Sequence, residues 1–125
     1  IAAWAAKRRS DSDLADLRRC VSDAEDALTD YERFIDLDVR FHSLLARASG
    51  NRVASIVTEV LGNVEKETLR KKMLTLPPEG RTALGQRILD THRIILDAIE
   101  QQDSRAARSA MQTHTRAAGR DLQIE

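Results

Sequence analysis

The chain has 125 residues with 20 Lys+Arg balanced by 20 Asp+Glu, and only 5 Gly, 2 Pro and 3% aromatic residues. That length suffices for one domain with a real core, and the scarcity of Gly and Pro favours an all-helical fold. The neutral balance argues against a chain that holds nucleic acid by bulk electrostatics, no apolar run or signal peptide points to a membrane or to export, and the lone Cys20 fits a reducing cytoplasm.

In chain order, Ile1 to Arg9 reads as the last turns of a helix with no start signal and no initiator Met before it. A piece of a longer protein is therefore expected. Ser10-Asp11-Ser12-Asp13 offers N-cap candidates and acidic first-turn residues for a second helix. Its stripe of Leu14, Leu17, Val21 and Leu28 ends near residue 28. A third helix is expected from Thr29 or Asp30 to Ala48, stopped at Ser49-Gly50-Asn51, where Gly suits a left-handed C-cap. Asn51 then caps a fourth helix carrying Val53, Ile56, Val57, Val60, Leu61 and Val64, whose later part, Glu65 to Lys72, is charged and expected to be the more exposed. Pro77-Pro78-Glu79-Gly80 breaks the chain, since neither proline continues a helix. A fifth helix is expected from about Arg81 to Gln101, and a sixth, capped by Asp103, to about Leu122. Short connections make this an antiparallel bundle of about six helices in one domain.

Asp38 and His42 stand four apart, on one helix face shared with Phe34, Phe41, Leu45 and Ala48. A carboxylate and an imidazole facing a core are costly unless paired. The other two histidines, His92 and His114, also lie in apolar stripes, with Ile88, Ile95 and Ile99 and with Ala107, Ala110, Met111 and Ala118. Counted from a turn at Gln102-Asp103, both lie roughly 15–17 Å away at about 1.5 Å rise per residue, hence at matched height in a hairpin. One carboxylate and three imidazoles suit a divalent transition metal, zinc first, with nickel, manganese or iron as alternatives. Spare coordination positions on such an ion would receive a small carboxylate.

The string Asp38-Val39-Arg40-Phe41-His42, followed by Ala48-Ser49-Gly50-Asn51, resembles the D-x-x-F-H and A-S-G-N signature of FCD domains. These are the C-terminal effector-binding domains of FadR-type GntR transcription regulators. His92, Ile95, Ala98-Ile99, Asp103, Ala107, Met111 and His114 are similar to the rest of the family's pattern. The resemblance implies a helical bundle around a central metal and ligand cavity, with Asp38, His42, His92 and His114 as metal ligands. It also implies a homodimer, a small organic-acid effector, and DNA contact only through a winged-helix domain that precedes Ile1. A basic residue that holds the effector is expected at Arg8, by its position at the end of the first helix, or at Arg70. Asn51 is a further candidate for the effector site, although capping explains it; Trp4 is expected in the core or at a dimer face. Arg47, Arg52, Lys71 and Lys72 are expected at the surface. Two other functions compete with sensing: a metal-dependent hydrolase or lyase, which lacks a spare general base, and a purely structural metal-stabilised dimerisation bundle.

Overall fold

In the computed structural model, which describes residues 1–121, the chain forms α1 (Ala2–Arg8), α2 (Asp11–Asp26), α3 (Tyr31–Ala48), α4 (Arg52–Leu74), α5 (Pro78–Glu100) and α6 (Ser104–Asp121). The expected end of the last helix at Leu122 lies outside the described residues. No strand occurs among the described residues.

Local chemistry places most helix ends. Ser10 and Asp13 form a reciprocal capping box at the start of α2. The side chains of Asp30, Asn51 and Asp103 accept from Arg33, Ala54 and Ala106 backbone N–H groups at 3.3, 3.1 and 3.0 Å. Gly50 ends α3 at φ +68°, a conformation that suits a residue without a side chain. The start of α5 differs from expectation. The helix opens at Pro78 rather than Arg81, because a proline in the first turn lacks only an N–H that would have no partner there.

The core is formed by Leu17, Phe34, Ile35, Phe41, Leu45, Leu84, Leu89, Ile95 and Ile99, all fully buried. Helix α3 packs against α2 and α4, and α5 against α6 and α2. Helix α1 lies on α6, α3 and α5. It is fastened there by Arg9, whose guanidinium donates to Ile99 O at 3.1 Å and Glu100 O at 2.8 Å, in the last turn of α5.

Helix α4 reverses the expected pattern. Its charged second half carries the buried Leu69 and Met73, while Val53, Ile56, Val57, Val60, Leu61 and Val64 are 47 to 69% exposed. The residues it buries in its first half are small. Ala54 and Gly62 are buried, and a Cβ on Gly62 would stand 3.1 Å from Val39 Cγ1 of α3. Small residues let the two backbones approach, which leaves Val53, Ile56, Val60 and Val64 pointing away, while Val57 and Leu61 border a cavity beside α3. Trp4, 47% exposed, is not a core residue. Among the described residues no helix is long and apolar enough to cross a membrane.

Candidate metal centre

Helix α3 carries Asp38 and His42 one turn apart, α5 carries His92, and α6 carries His114. The equal height counted along α5 and α6 is realised, with the His92 and His114 ring centroids 4.8 Å apart. His42 completes the set at 5.3 Å from His92 and 5.2 Å from His114. One ring nitrogen from each of the three histidines lies within 4.8 Å of the others, a spacing that could hold a metal ion. Asp38 Oδ1 stands 3.2 Å from His92 Nε2 and 3.7 Å from His42 Nε2.

His92 Nε2 is buried and has no hydrogen-bond partner among the described residues. The Asp38 oxygen stands 3.2 Å away as an ion-pair contact. Leaving a buried polar atom without a partner is costly, and a cation between His92 and Asp38 would satisfy both. The His92 ring itself is held by Phe41, stacked on it at 4.1 Å with planes 10° apart.

Thr91, the neighbour of His92, fixes His114. Its hydroxyl donates to Ile88 O at 2.7 Å, and Oγ1 lies 2.7 Å from His114 Nδ1. A hydroxyl has one proton, so towards His114 it accepts, and Nδ1 carries the hydrogen. Nε2 of His114 then presents a lone pair, the form in which an imidazole binds a metal. Neither spacing nor periodicity singles out Thr91, since its role depends on a bond visible only in three dimensions.

The charges suit ligation. Burial would raise the Asp38 carboxyl, but the hydrogen-bonding capacity and charge of His92, together with His42 and His114, outweigh it and hold Asp38 below its ordinary value. Burial pushes His42 down, against the pull of Asp38 and with help from His92. Burial, then His92 and His42, push His114 down to about 4, with Asp38 opposing. At neutral pH the site therefore presents neutral His42 and His114 beside an ionised Asp38, ready for a cation.

Above this cluster lies an open cavity of about 750 Å³ bordered by Asp38, His42 and His114. Its walls come from α3, α4, α5 and α6, and Arg87, Arg120 and Glu65 also border it. Burial and the charge of Asp38 raise the Glu65 carboxyl. The three residues expected at the effector are placed elsewhere. Arg8 donates to Ser49 O at 3.3 Å and lies over the Trp4 ring. Arg70 is paired with Glu32 and Glu67 on the outside of α4. Asn51 spends its side-chain oxygen on capping α4. None of the three borders the cavity.

A family model described as the FCD domain matches residues 1–117. The chain belongs to the FCD domain family. The galactonate operon transcriptional repressor of Escherichia coli (strain K12) is 27% identical to this FCD domain over 113 residues, which covers 90% of the chain and 47% of that protein. The solved structure of Streptococcus agalactiae GntR matches it with a TM-score of 0.78 and 29% identity, over 95% of this chain and 51% of that one. The FCD domain thus spans about half the length of these relatives. It is an effector-binding domain of the GntR regulator type with the expected all-helical fold, and not an enzyme. The hydrolase or lyase alternative gives way to that assignment.

Proposed function

We propose that this FCD domain senses a small carboxylic acid at a divalent transition metal held by Asp38, His42, His92 and His114. It does so as the effector-binding and dimerising part of a cytoplasmic GntR transcription regulator, whose winged-helix domain would precede α1 and make the DNA contacts. The observation that carries this reading is the convergence of three histidines on one point, with the partnerless His92 Nε2 facing the Asp38 carboxylate at 3.2 Å. Zinc suits three imidazoles and one carboxylate, and nickel, manganese or iron fit the same donors.

The bound cation supplies the positive charge to which an effector carboxylate attaches. The chain does the remaining work. Phe41 fixes the plane of His92, Thr91 fixes the tautomer of His114, and the cavity admits the acid beside His42 and His114. Because the four ligands come from α3, α5 and α6, a ligand that draws on them alters how those helices pack, which is how a sensing site reaches a distant domain. The relative from Escherichia coli is named for a galactonate operon, which agrees with an organic acid as the effector class.

Elemental analysis of the protein, purified without added metal or chelator, tests the site. About one transition metal per chain is expected, with loss of that metal in His92→Ala. A protein that takes up no zinc, nickel or manganese would remove the metal-held effector. A metal-loaded protein whose stability no carboxylic acid alters would leave a structural metal bundle instead.

A further inference from the structure

The walls of the cavity carry information about the body of the effector, beyond its carboxylate. Above the His42 and His114 rings the cavity is bordered by Leu45, Leu61, Leu69, Leu84, Ile88 and Met111. These side chains present hydrocarbon and one thioether, and none offers a hydrogen bond of useful strength.

Several of the polar groups at the border are already engaged. The Thr91 hydroxyl donates to Ile88 O and accepts from His114 Nδ1. The Thr115 hydroxyl donates to Met111 O at 2.9 Å in its own helix. The Arg87 guanidinium pairs with Asp121 at 3.4 Å. Asp90 is held by Gln86 at 2.8 Å and lies 3.8 Å from Arg93. Thr58, Glu65 and Arg120 are the remaining hydroxyl and charged groups at the border, and Glu65 is close enough to feel the Asp38 charge, but most of the lining surface is apolar.

We propose that this cavity selects a monocarboxylic acid with an apolar body, aliphatic or aromatic, over a polyhydroxylated sugar acid. The inference rests on the carboxylate-sensing reading above and narrows it. A sugar acid carries a hydroxyl on nearly every carbon, and each hydroxyl taken from water needs a new partner that the aliphatic walls do not supply. A hydrocarbon body is driven against the same walls by the water it releases. The volume of about 750 Å³ exceeds the needs of a two- or three-carbon acid, so a body large enough to touch both α4 and α5 is favoured.

The experiment is calorimetric titration of the zinc-loaded protein with sodium mandelate, sodium 2-hydroxy-4-methylpentanoate and sodium galactonate. The expected result is that at least one of the first two binds ten-fold or more tightly than galactonate. Ile88→Gln and Met111→Gln, both at half-buried wall positions, should each weaken the apolar acid about five-fold while zinc content stays at one per chain. Galactonate binding as tightly as either apolar acid would overturn the selectivity and leave carboxylate sensing standing. Binding of no acid by a protein that retains zinc would overturn both. Apolar-acid affinity unchanged in both wall variants would also count against the proposal, by placing the acid outside this cavity.

Discussion

At the scale of single residues, Thr91 is as consequential as His114, the side chain it supports. Removing its hydroxyl frees the His114 ring to take the other tautomer and to rotate. Thr91→Val is therefore expected to weaken metal binding by roughly 10- to 100-fold, the range for loss of a supporting hydrogen bond behind a ligand. Thr91→Ser keeps the hydroxyl and should stay close to the parent in a competition titration against a chelating dye. Equal losses in Val and Ser would show that packing, and not the tautomer, is at stake. The depressed histidines set a second expectation, for the metal-free protein. His42 and His114 bind protons more readily in the unfolded chain, where an imidazole has a pKa of about 6.5, than in the fold, where His114 lies at about 4. The unfolded state thus gains protons first on acidification. The stability these residues contribute is complete above about pH 6.5 and is lost as pH falls towards about 4. The melting temperature of the chelated protein should be several degrees lower at pH 5 than at pH 7. A profile left unchanged by His114→Gln would contradict that assignment.

At the scale of helices, the junction of α3 and α4 carries a backbone requirement. Gly50 holds φ at +68°, so Gly50→Ala should cost about 1 kcal/mol through the left-handed penalty of a Cβ. Urea unfolding at unchanged m-value measures it, and a loss near zero would mean that the turn relaxes. Helix ends were legible in the sequence because their causes are local. Ser10, Asp30, Asn51 and Asp103 cap within three residues of themselves, and Gly50 stops α3 where it stands. The Pro77-Pro78 pair was legible as a break but not as a helix start, because proline is compatible with a first turn as well as with none. The four clustered side chains were legible too. Their spacing along α3 and their equal distance from the α5–α6 turn are arithmetic on helical rise. The orientation of α4 was not. A stripe of six aliphatic residues reads as a core face, and only the close approach of Gly62 to Val39 reveals that the small residues face inward. The placement of Arg8 and Arg70 away from the cavity lining was not legible for a related reason. A guanidinium takes the nearest carbonyl or carboxylate that the fold offers, and that partner is set by tertiary contact.

At the scale of the molecule, the outward stripe of α4 and the metal centre make separate predictions. Val53, Ile56, Val60 and Val64 form a contiguous apolar surface, and patches of that kind on soluble proteins mark association sites. It is the surface on which the proposed homodimer would meet. Val60→Asp should then convert the dimer to a monomer in sedimentation velocity while leaving helicity intact, since Val60 is 65% exposed in the single chain. A variant that sediments like the parent would place the dimer face elsewhere. Metal binding should stabilise the whole fold. Zinc at 100 times its dissociation constant contributes about 2.7 kcal/mol, a rise in melting temperature on the order of 10 °C for a domain of this size. A chelator added in excess should reverse it.

The attachment of Arg9 gives α1 an unusual mechanical position. Its guanidinium spans the two terminal carbonyls of the helix that carries His92, so it acts as a rivet between the start of the chain and the far end of that helix. A loop at this point would absorb a tilt of α5 as slack. A rivet would convert the same tilt into displacement of α1, and the proposed winged-helix domain would be carried with it as on a crank. Sensing and transmission would then be separable: cutting the rivet would leave the instrument able to register its signal but disconnect the pointer.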